Sequence, residues 1–218
     1  MTNTDERIHE SPADSRSNGP DGGADKEPNP GLIGLPLIIP GAIGLGATNT
    51  GLVSVPGAAV PILVSATAVG LLITTIWAAA LRQNVNATIY GTFFGFYGSY
   101  AALSLGLAHN WFGISPADAR PTTTLWLAGW LFTIALLTVL VLRLPWIYPA
   151  VLAIVDIALV LLLVGNHSSN TAATQAGGWF VFVFAAVVVY FYVAALWEET
   201  GGIALPLGRP LIGAIPPK

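Results

Sequence analysis

The chain has 218 residues, of which 54% are hydrophobic and 9% are charged, and its mean hydropathy is +0.71. Soluble domains usually carry about a quarter charged residues, so this composition excludes an ordinary soluble domain and predicts an integral membrane protein. The absence of cysteine excludes disulfides and thiolate chemistry, and a net charge of −3 gives no indication of nucleic-acid binding.

The N-terminal segment differs in composition from the rest of the chain. Seven of the eleven acidic residues lie before residue 28, whereas no charged side chain occurs from Pro28 to Leu81. The segment is rich in Ser, Gly, Asp and Pro and has no apolar run of the signal-peptide type. We therefore predict a disordered acidic tail over residues 1–28, a transmembrane domain over 29–200 and a C-terminal tail over 201–218.

Six segments are long and apolar enough to cross the hydrocarbon core, which takes about 20 residues of helix. The predicted spans are residues 32–50, 57–81, 87–108, 122–142, 145–165 and 177–197. The expected fold is therefore an all-α membrane protein with six transmembrane helices.

The basic residues predict the orientation of these spans. With an even number of spans, both termini lie on one side, together with the turns at Arg82 and Arg143. The opposite side carries Arg120 alone. The positive-inside rule then places both termini in the cytoplasm. We expect the protein in the cell membrane. Four tryptophans near span ends are interpreted as interfacial anchors: Trp111, Trp126, Trp146 and Trp197.

Residue patterns of enzymes are absent from the sequence. The three histidines, His9, His109 and His167, are too scattered for a metal cluster. Neither HExxH nor GxGxxG spacing occurs, and no paired carboxylates lie within the spans. We therefore predict no enzyme activity, no metal and no cofactor.

One carboxylate, Asp156, falls in the middle of the fifth predicted span. Because a charged side chain at the bilayer centre costs about 2.5–3.5 kcal/mol, such residues usually face a bundle interior or a wet path. Two interpretations stay open. Asp156 is either a proton-linked group near a conduction path or a neutral group bonded to a neighbouring helix.

The third predicted span combines glycine with aromatic residues. Gly91, Gly95 and Gly98 fall on one helix face, which permits close approach of a neighbouring helix. Tyr97 and Ser99 place hydroxyl groups at mid-span. The sequence leaves tight packing and pore lining as equal alternatives for this face.

The first predicted span begins with the segment NPGLIGLPLIIPG, residues 29–41. Pro30 suits a helix start, but Pro36 and Pro40 each remove a backbone hydrogen bond inside the helix. Interrupted membrane helices often mark transport sites, so we expect a broken helix that lines a substrate path.

Several short motifs follow one another in order between residues 29 and 210. They are NPGLIGL (29–35), Asn49 with Gly51, YGSY (97–100), Phe132 with Thr133, Gly165 with Asn166, GGW (177–179), Tyr190 and LPLG (205–208). In their order and spacing the chain resembles the acetate uptake transporter family, also called the succinate–acetate permease or GPR1/FUN34/YaaH family.

This resemblance implies a homo-hexamer in the lipid bilayer, in which each protomer has its own path for acetate or a similar small carboxylate. It implies a narrow hydrophobic constriction at Ile38, Tyr97 and Val155, where the family has Phe, Tyr and Leu. The smaller Ile38 and Val155 predict a wider or differently shaped constriction. The matching polar positions are the substrate-binding candidates: Asn29, Asn49, Ser99, Thr133, Asn166 and Tyr190.

The sequence departs from the family pattern at two places. Arg82 stands near a position where bacterial members carry Glu, and Asp156 replaces a small neutral residue. Channel and proton-coupled permease both stay open as mechanisms. The alternatives in function are a non-transporting scaffold subunit and a transporter of another small solute.

Overall fold

The structure is a computed structural model that describes residues 27–53 and 59–213, and within these ranges its regular elements are all helical. The long helices are α1 (Gly31–Thr50), α2 (Ala59–Ala80), α3 (Asn84–His109), α4 (Ala119–Leu140), α5 (Ile147–Ser168) and α6 (Thr171–Glu199). A short 3₁₀ turn, Trp111–Gly113, follows α3. The predicted all-α fold with six long helices is confirmed. The predicted disorder of the N-terminal tail falls almost wholly on residues outside the described ranges.

Five of the described helices are long and apolar enough to cross a membrane, namely α1, α2, α4, α5 and α6. The third predicted span, α3, does not reach that hydropathy because the helix contains asparagine, threonine and serine residues. At 26 residues, α3 is nevertheless about 39 Å long at 1.5 Å per residue, which exceeds the hydrocarbon thickness. A crossing by α3 therefore stays a prediction.

Helix α6 begins at Thr171, six residues before the predicted span. The backbone at Ser169 is left-handed, with φ of 56°, which ends α5. Directly afterwards the Asn170 side chain accepts a hydrogen bond from the Ala173 amide at 3.1 Å and begins α6. Hydropathy locates the part of a helix that suits lipid, whereas this cap decides where the helix begins.

Helix α1 is continuous in spite of its internal prolines, so the prediction of a broken first helix is wrong. At the N-terminus of α1, the Asn29 side chain accepts a hydrogen bond from the Gly31 amide at 2.9 Å. Near Pro36, the α2 residue Thr67 donates its hydroxyl to the Leu37 carbonyl at 2.6 Å. The proline-containing turns are covered by protein on this side, so the helix passes through them without unwinding.

The helices contact one another in the order α3, α2, α1, α6, α5 and α4, and the return contact from α4 to α3 is sparse. Helix α2 packs against α1 and α3 and contributes to the buried core, whereas the spaces inside the bundle are lined by residues of α1, α3, α4, α5 and α6. The outer faces of α2 and α4 remain apolar and open, as Ile62, Val69 and Phe132 show with 60% or more of their surface exposed. Soluble monomers rarely leave such faces uncovered, whereas lipid or neighbouring protomers would cover them.

The three glycines of α3 do not share one neighbour. A Cβ atom at Gly91 would lie 3.3 Å from Thr75 of α2, and one at Gly98 would lie 3.7 Å from Ala68 of the same helix. At Gly95 it would lie 2.8 Å from the Trp130 ring of α4. These glycines therefore permit close packing of α3 on two sides.

The C-terminal segment after α6 is extended and folds back along the bundle. The Trp146 amide donates to the Arg209 carbonyl at 3.0 Å, at the turn between α4 and α5. The Tyr190 hydroxyl donates to the Pro206 carbonyl at 2.8 Å. These bonds hold the described part of the predicted C-terminal tail against the helices.

Candidate functional site: two cavities in the bundle

Two cavities of similar size lie inside the bundle. The first, here the Asn49 cavity, has a volume of about 180 Å³ and is lined by residues that include Asn49, Tyr97, Trp126, Val155 and Asn166. The second, here the Asn29 cavity, has a volume of about 190 Å³ and is lined by residues that include Asn29, Ile38, Tyr90, Tyr148 and Leu207.

The two cavities occupy opposite ends of the bundle. The Asn49 cavity is lined where α1 and α5 end, by Asn49 and Asn166, and where α6 begins, by Thr174. The Asn29 cavity is lined where α1 begins, by Asn29, and where α6 ends, by Glu198. Together the cavities extend along most of the length of the bundle.

The residues of the predicted constriction divide between the two cavities. Tyr97 and Val155 line the Asn49 cavity, whereas Ile38 lines the Asn29 cavity. All three side chains are buried: 2% of the surface of Tyr97, 8% of that of Val155 and 4% of that of Ile38 is exposed. The structure therefore brings Tyr97 and Val155 to one cavity wall and places Ile38 in the other half of the bundle.

The Tyr97 ring is held by close contacts on two sides. A Cβ atom at Gly41 would lie 2.9 Å from Tyr97 Cε1, so glycine at that position admits the ring beside α1. On its other side Tyr97 meets Phe96 edge to face, with ring centroids 5.2 Å apart. Within the described residues, neither the Tyr97 hydroxyl nor that of Tyr100 makes a hydrogen bond, and both residues line the Asn49 cavity. Two phenol donors are therefore available to a ligand there.

Ser99 is hydrogen-bonded to two tryptophan side chains of α4 and does not line either cavity. Its Oγ atom accepts hydrogen bonds from the indole N–H groups of Trp126 and Trp130, each at 3.0 Å. The Ser99 hydroxyl donates to the Phe96 carbonyl at 3.1 Å. The interpretation of Trp126 as an interfacial anchor is wrong, because this side chain packs inside the bundle and lines the Asn49 cavity. The other three tryptophans of that set are about half exposed.

The three predicted asparagines all line cavities but differ in the groups they leave available. Asn49 donates one amide hydrogen to the Leu45 carbonyl at 2.8 Å. Asn166 donates to the Arg120 carbonyl at 3.2 Å and to the Thr124 hydroxyl at 2.9 Å, which ties α5 to the start of α4. Asn29 uses its carbonyl oxygen to cap α1. Each asparagine therefore combines a structural bond with a place in a cavity wall.

Two predicted polar residues lie away from the cavities. Thr133 is exposed on the outer face of α4 and donates to the Gly129 carbonyl at 2.9 Å. Tyr190 lines neither cavity, and its hydroxyl donates a hydrogen bond to the Pro206 carbonyl of the C-terminal segment. A substrate-binding role for either residue has no support from this geometry.

Asp156 lies between α4 and α5 and also lines neither cavity. Its Oδ2 atom is 2.7 Å from the Thr138 hydroxyl, which is also 2.9 Å from the Ile134 carbonyl. One hydroxyl hydrogen serves only one of these two acceptors at a time. The Oδ1 atom is buried and has no hydrogen-bond partner among the described residues. A proton on this carboxyl group would satisfy both contacts of Thr138.

The cavity linings carry little charge. Neither lining contains a lysine, arginine or histidine, and Glu198 of the Asn29 cavity is the one charged residue of either lining. No group of three or more His, Cys, Asp or Glu side chains that could hold a metal ion occurs in residues 27–53 and 59–213. The cavities therefore suit a small, mostly apolar ligand whose polar group is bound by neutral donors.

Sequence reasoning missed Phe93 and Phe184, the two residues that line both cavities. Phe93 occurs among the aromatic residues of α3, but nothing in its spacing distinguishes it from Phe94. Phe184 belongs to an apolar run of α6 that also contains Phe180 and Phe182. Only the rotation of each helix within the bundle shows which of these rings face the interior.

A sequence model described as the GPR1/FUN34/yaaH family matches residues 29–206. Among solved structures, one titled "Structure of the bacterial acetate channel SatP" matches with a TM-score of 0.72 and 20% sequence identity. The match covers 84% of this chain and 100% of that one. A search of curated proteins gives no significant match. The structural likeness shows a shared fold, and the family match spans the whole helical region.

Proposed function

The chain belongs to the GPR1/FUN34/yaaH family, and on that basis we propose that it carries acetate or a similar small carboxylate across the cell membrane. The observation that supports this most directly is the pair of cavities at opposite ends of one bundle of apolar helices. A solved structure with the same fold is described as an acetate channel, which agrees with this assignment.

The lining of the Asn49 cavity supports a monocarboxylate as the cargo. A carboxylate that leaves water for an apolar site loses its hydration, and only hydrogen-bond donors or positive charge offset that loss. The Tyr97 and Tyr100 hydroxyls and the remaining amide hydrogen of Asn49 provide neutral donors. The lining contains no basic side chain. It is compatible with passage of the substrate either as a hydrogen-bonded anion or as the neutral acid.

Uptake of labelled acetate into liposomes that contain the pure protein tests this proposal. We expect flux above that of empty liposomes, and we expect unlabelled small carboxylates to compete with it. Imposing a pH gradient separates the two mechanisms, since a channel for the anion is indifferent to it and a proton-coupled permease is accelerated by it. Flux equal to that of empty liposomes would favour the scaffold alternative.

We further propose that the protomers form a hexamer with both termini in the cytoplasm. The exposed apolar faces of α2 and α4 provide surfaces that neighbouring protomers would cover in such an assembly. The arginines at positions 82 and 143 support the orientation. Native mass spectrometry of the detergent-solubilised protein, with six copies as the expected result, tests the first statement.

Asp156→Asn is expected to leave the pH profile of acetate uptake unchanged. The carboxyl group faces Thr138 and lines neither cavity, so titration at this position does not alter the path directly. The amide of the variant also supplies a hydrogen to Thr138, whereas Asp156→Ala removes the contact and is expected to cost about 1 kcal/mol of stability. Uptake at several pH values and thermal unfolding in detergent measure the two effects. A shifted pH profile in Asp156→Asn would instead identify a proton-linked carboxylate.

A further inference from the structure

Two aromatic side chains, Phe93 of α3 and Phe184 of α6, line both cavities, and no other residue in the described ranges is shared between the two linings. Their rings are stacked, with centroids 5.8 Å apart and planes inclined by 12°. Both side chains are buried, with exposures of 4% and 6%. We propose that this stacked pair is the partition between the two cavities and that its opening sets the largest carboxylate that can pass.

The order of lining residues along the helices supports the partition. In α3 the Asn29 cavity is lined by residues 86–93 and the Asn49 cavity by residues 93–100. In α6 the corresponding ranges are 184–198 and 174–184. The two linings therefore meet at Phe93 on one side and at Phe184 on the other, and they do not overlap beyond these residues.

Helix α5 shows how thin the partition is. Leu152 lines the Asn29 cavity and Val155 lines the Asn49 cavity, and both are buried. Three residues of helix correspond to about 4.5 Å along the axis. A separation of less than one helical turn matches the thickness of a single layer of aromatic rings.

The contact between the two rings means that a carboxylate cannot pass while they are stacked. Ring centroids at 5.8 Å are within the range of an offset-stacked pair in contact, so a substrate must displace one ring to cross. This role differs from that of Tyr97, whose hydroxyl is a donor on one side of the partition. The inference rests on the proposed transport function only where it concerns substrate size.

Thiol labelling tests the partition without any assumption about substrate. Because the chain has no native cysteine, Leu152→Cys and Val155→Cys each introduce a single thiol. With a membrane-impermeant methanethiosulfonate reagent, we expect these two variants to react from opposite sides in right-side-out and inside-out membrane vesicles. Reaction of both variants from both sides at equal rates would overturn the partition.

Removal of one ring should open the partition. Adding Phe184→Ala to each cysteine variant is expected to raise the rate of labelling from the far side by about tenfold, since loss of an aromatic contact lowers the opening barrier by that order. Phe182→Ala is the matched control, because Phe182 lies on the same helix and lines neither cavity. Phe93→Leu is the second variant should Phe184→Ala fail to fold. One-sided labelling in both opened variants would show that these rings are not the partition.

A transport measurement then tests the effect on size. In liposomes, Phe184→Ala is expected to raise the uptake of benzoate relative to acetate by about tenfold over that of Phe182→Ala. An unchanged ratio would contradict the role of the pair in selectivity. If the unmodified protein moves no acetate but labelling stays one-sided, the proposed function fails and the partition stands. If acetate moves and both thiols react from both sides, the partition fails and the proposed function stands.

Discussion

Tyr97→Phe is expected to slow acetate uptake by about ten- to hundredfold, because it removes one phenol hydroxyl from the Asn49 cavity and leaves the ring in place. A hydrogen bond to a charged group contributes about 1.5–3 kcal/mol, and each 1.4 kcal/mol corresponds to a factor of ten in rate. The Tyr97 hydroxyl makes no hydrogen bond within the described residues, so its removal leaves no protein group without a partner.

The matched control for this variant is Tyr192→Phe. Tyr192 lies on α6 and lines neither cavity, so loss of its hydroxyl is expected to leave uptake unchanged. Initial uptake rates in liposomes at equal protein content measure both variants, and thermal unfolding in detergent checks that both are folded. Equal rates in Tyr97→Phe and in the unmodified protein would exclude the hydroxyl as a donor to the substrate.

Gly178→Ala is expected to lower the stability of the folded protomer by about 1–3 kcal/mol, the usual cost of overfilling a packed interior. Gly178 lies on α6 against the end of α1. A Cβ atom there would lie 2.6 Å from the Thr50 amide nitrogen and 2.9 Å from the Asn49 carbonyl carbon. Since these are backbone atoms, α1 and α6 must move apart to accept the methyl group. That movement also displaces Asn49 from the cavity wall.

Gly129→Ala provides a control with the same chemical change. Apart from the neighbouring backbone of α4 itself, no atom of the described residues lies within 4 Å of a Cβ placed at Gly129, an exposed position on α4. Removing glycine from an open helix position stabilises it by about 0.5–1 kcal/mol, so this variant is expected to unfold at a slightly higher temperature. Unfolding temperatures of the two purified variants decide the comparison. A Gly178→Ala protein as stable as Gly129→Ala would contradict the close α1–α6 contact.

Local signals in the sequence predicted the helices well. An apolar run of about 20 residues is a property of adjacent residues, so hydropathy alone locates a membrane helix. The prediction was less accurate where polar contacts decide a boundary, as at Asn170, which begins α6 ahead of its apolar part. It failed for α1, where proline chemistry indicated a break that the packing of α2 against the helix does not require.

The candidate site was predictable only in part. Asn29, Asn49, Tyr97 and Asn166 were identified from ordered motifs, and the structure places all four in cavity walls. Motifs could not separate these residues from Ser99, whose hydroxyl holds two tryptophan rings, because a motif records residue type and spacing but not hydrogen-bond partners.

The sequence by itself therefore determined that the chain is an all-α membrane protein of the GPR1/FUN34/yaaH family, since composition, apolar runs and motif order are properties of the linear chain. Only the tertiary structure decided where the interior space lies and which rings divide it. Phe93 and Phe184 are separated by about ninety residues along the chain and meet because α3 and α6 each turn one particular face inward. That rotation results from the packing of five helices at once, and no single segment encodes it.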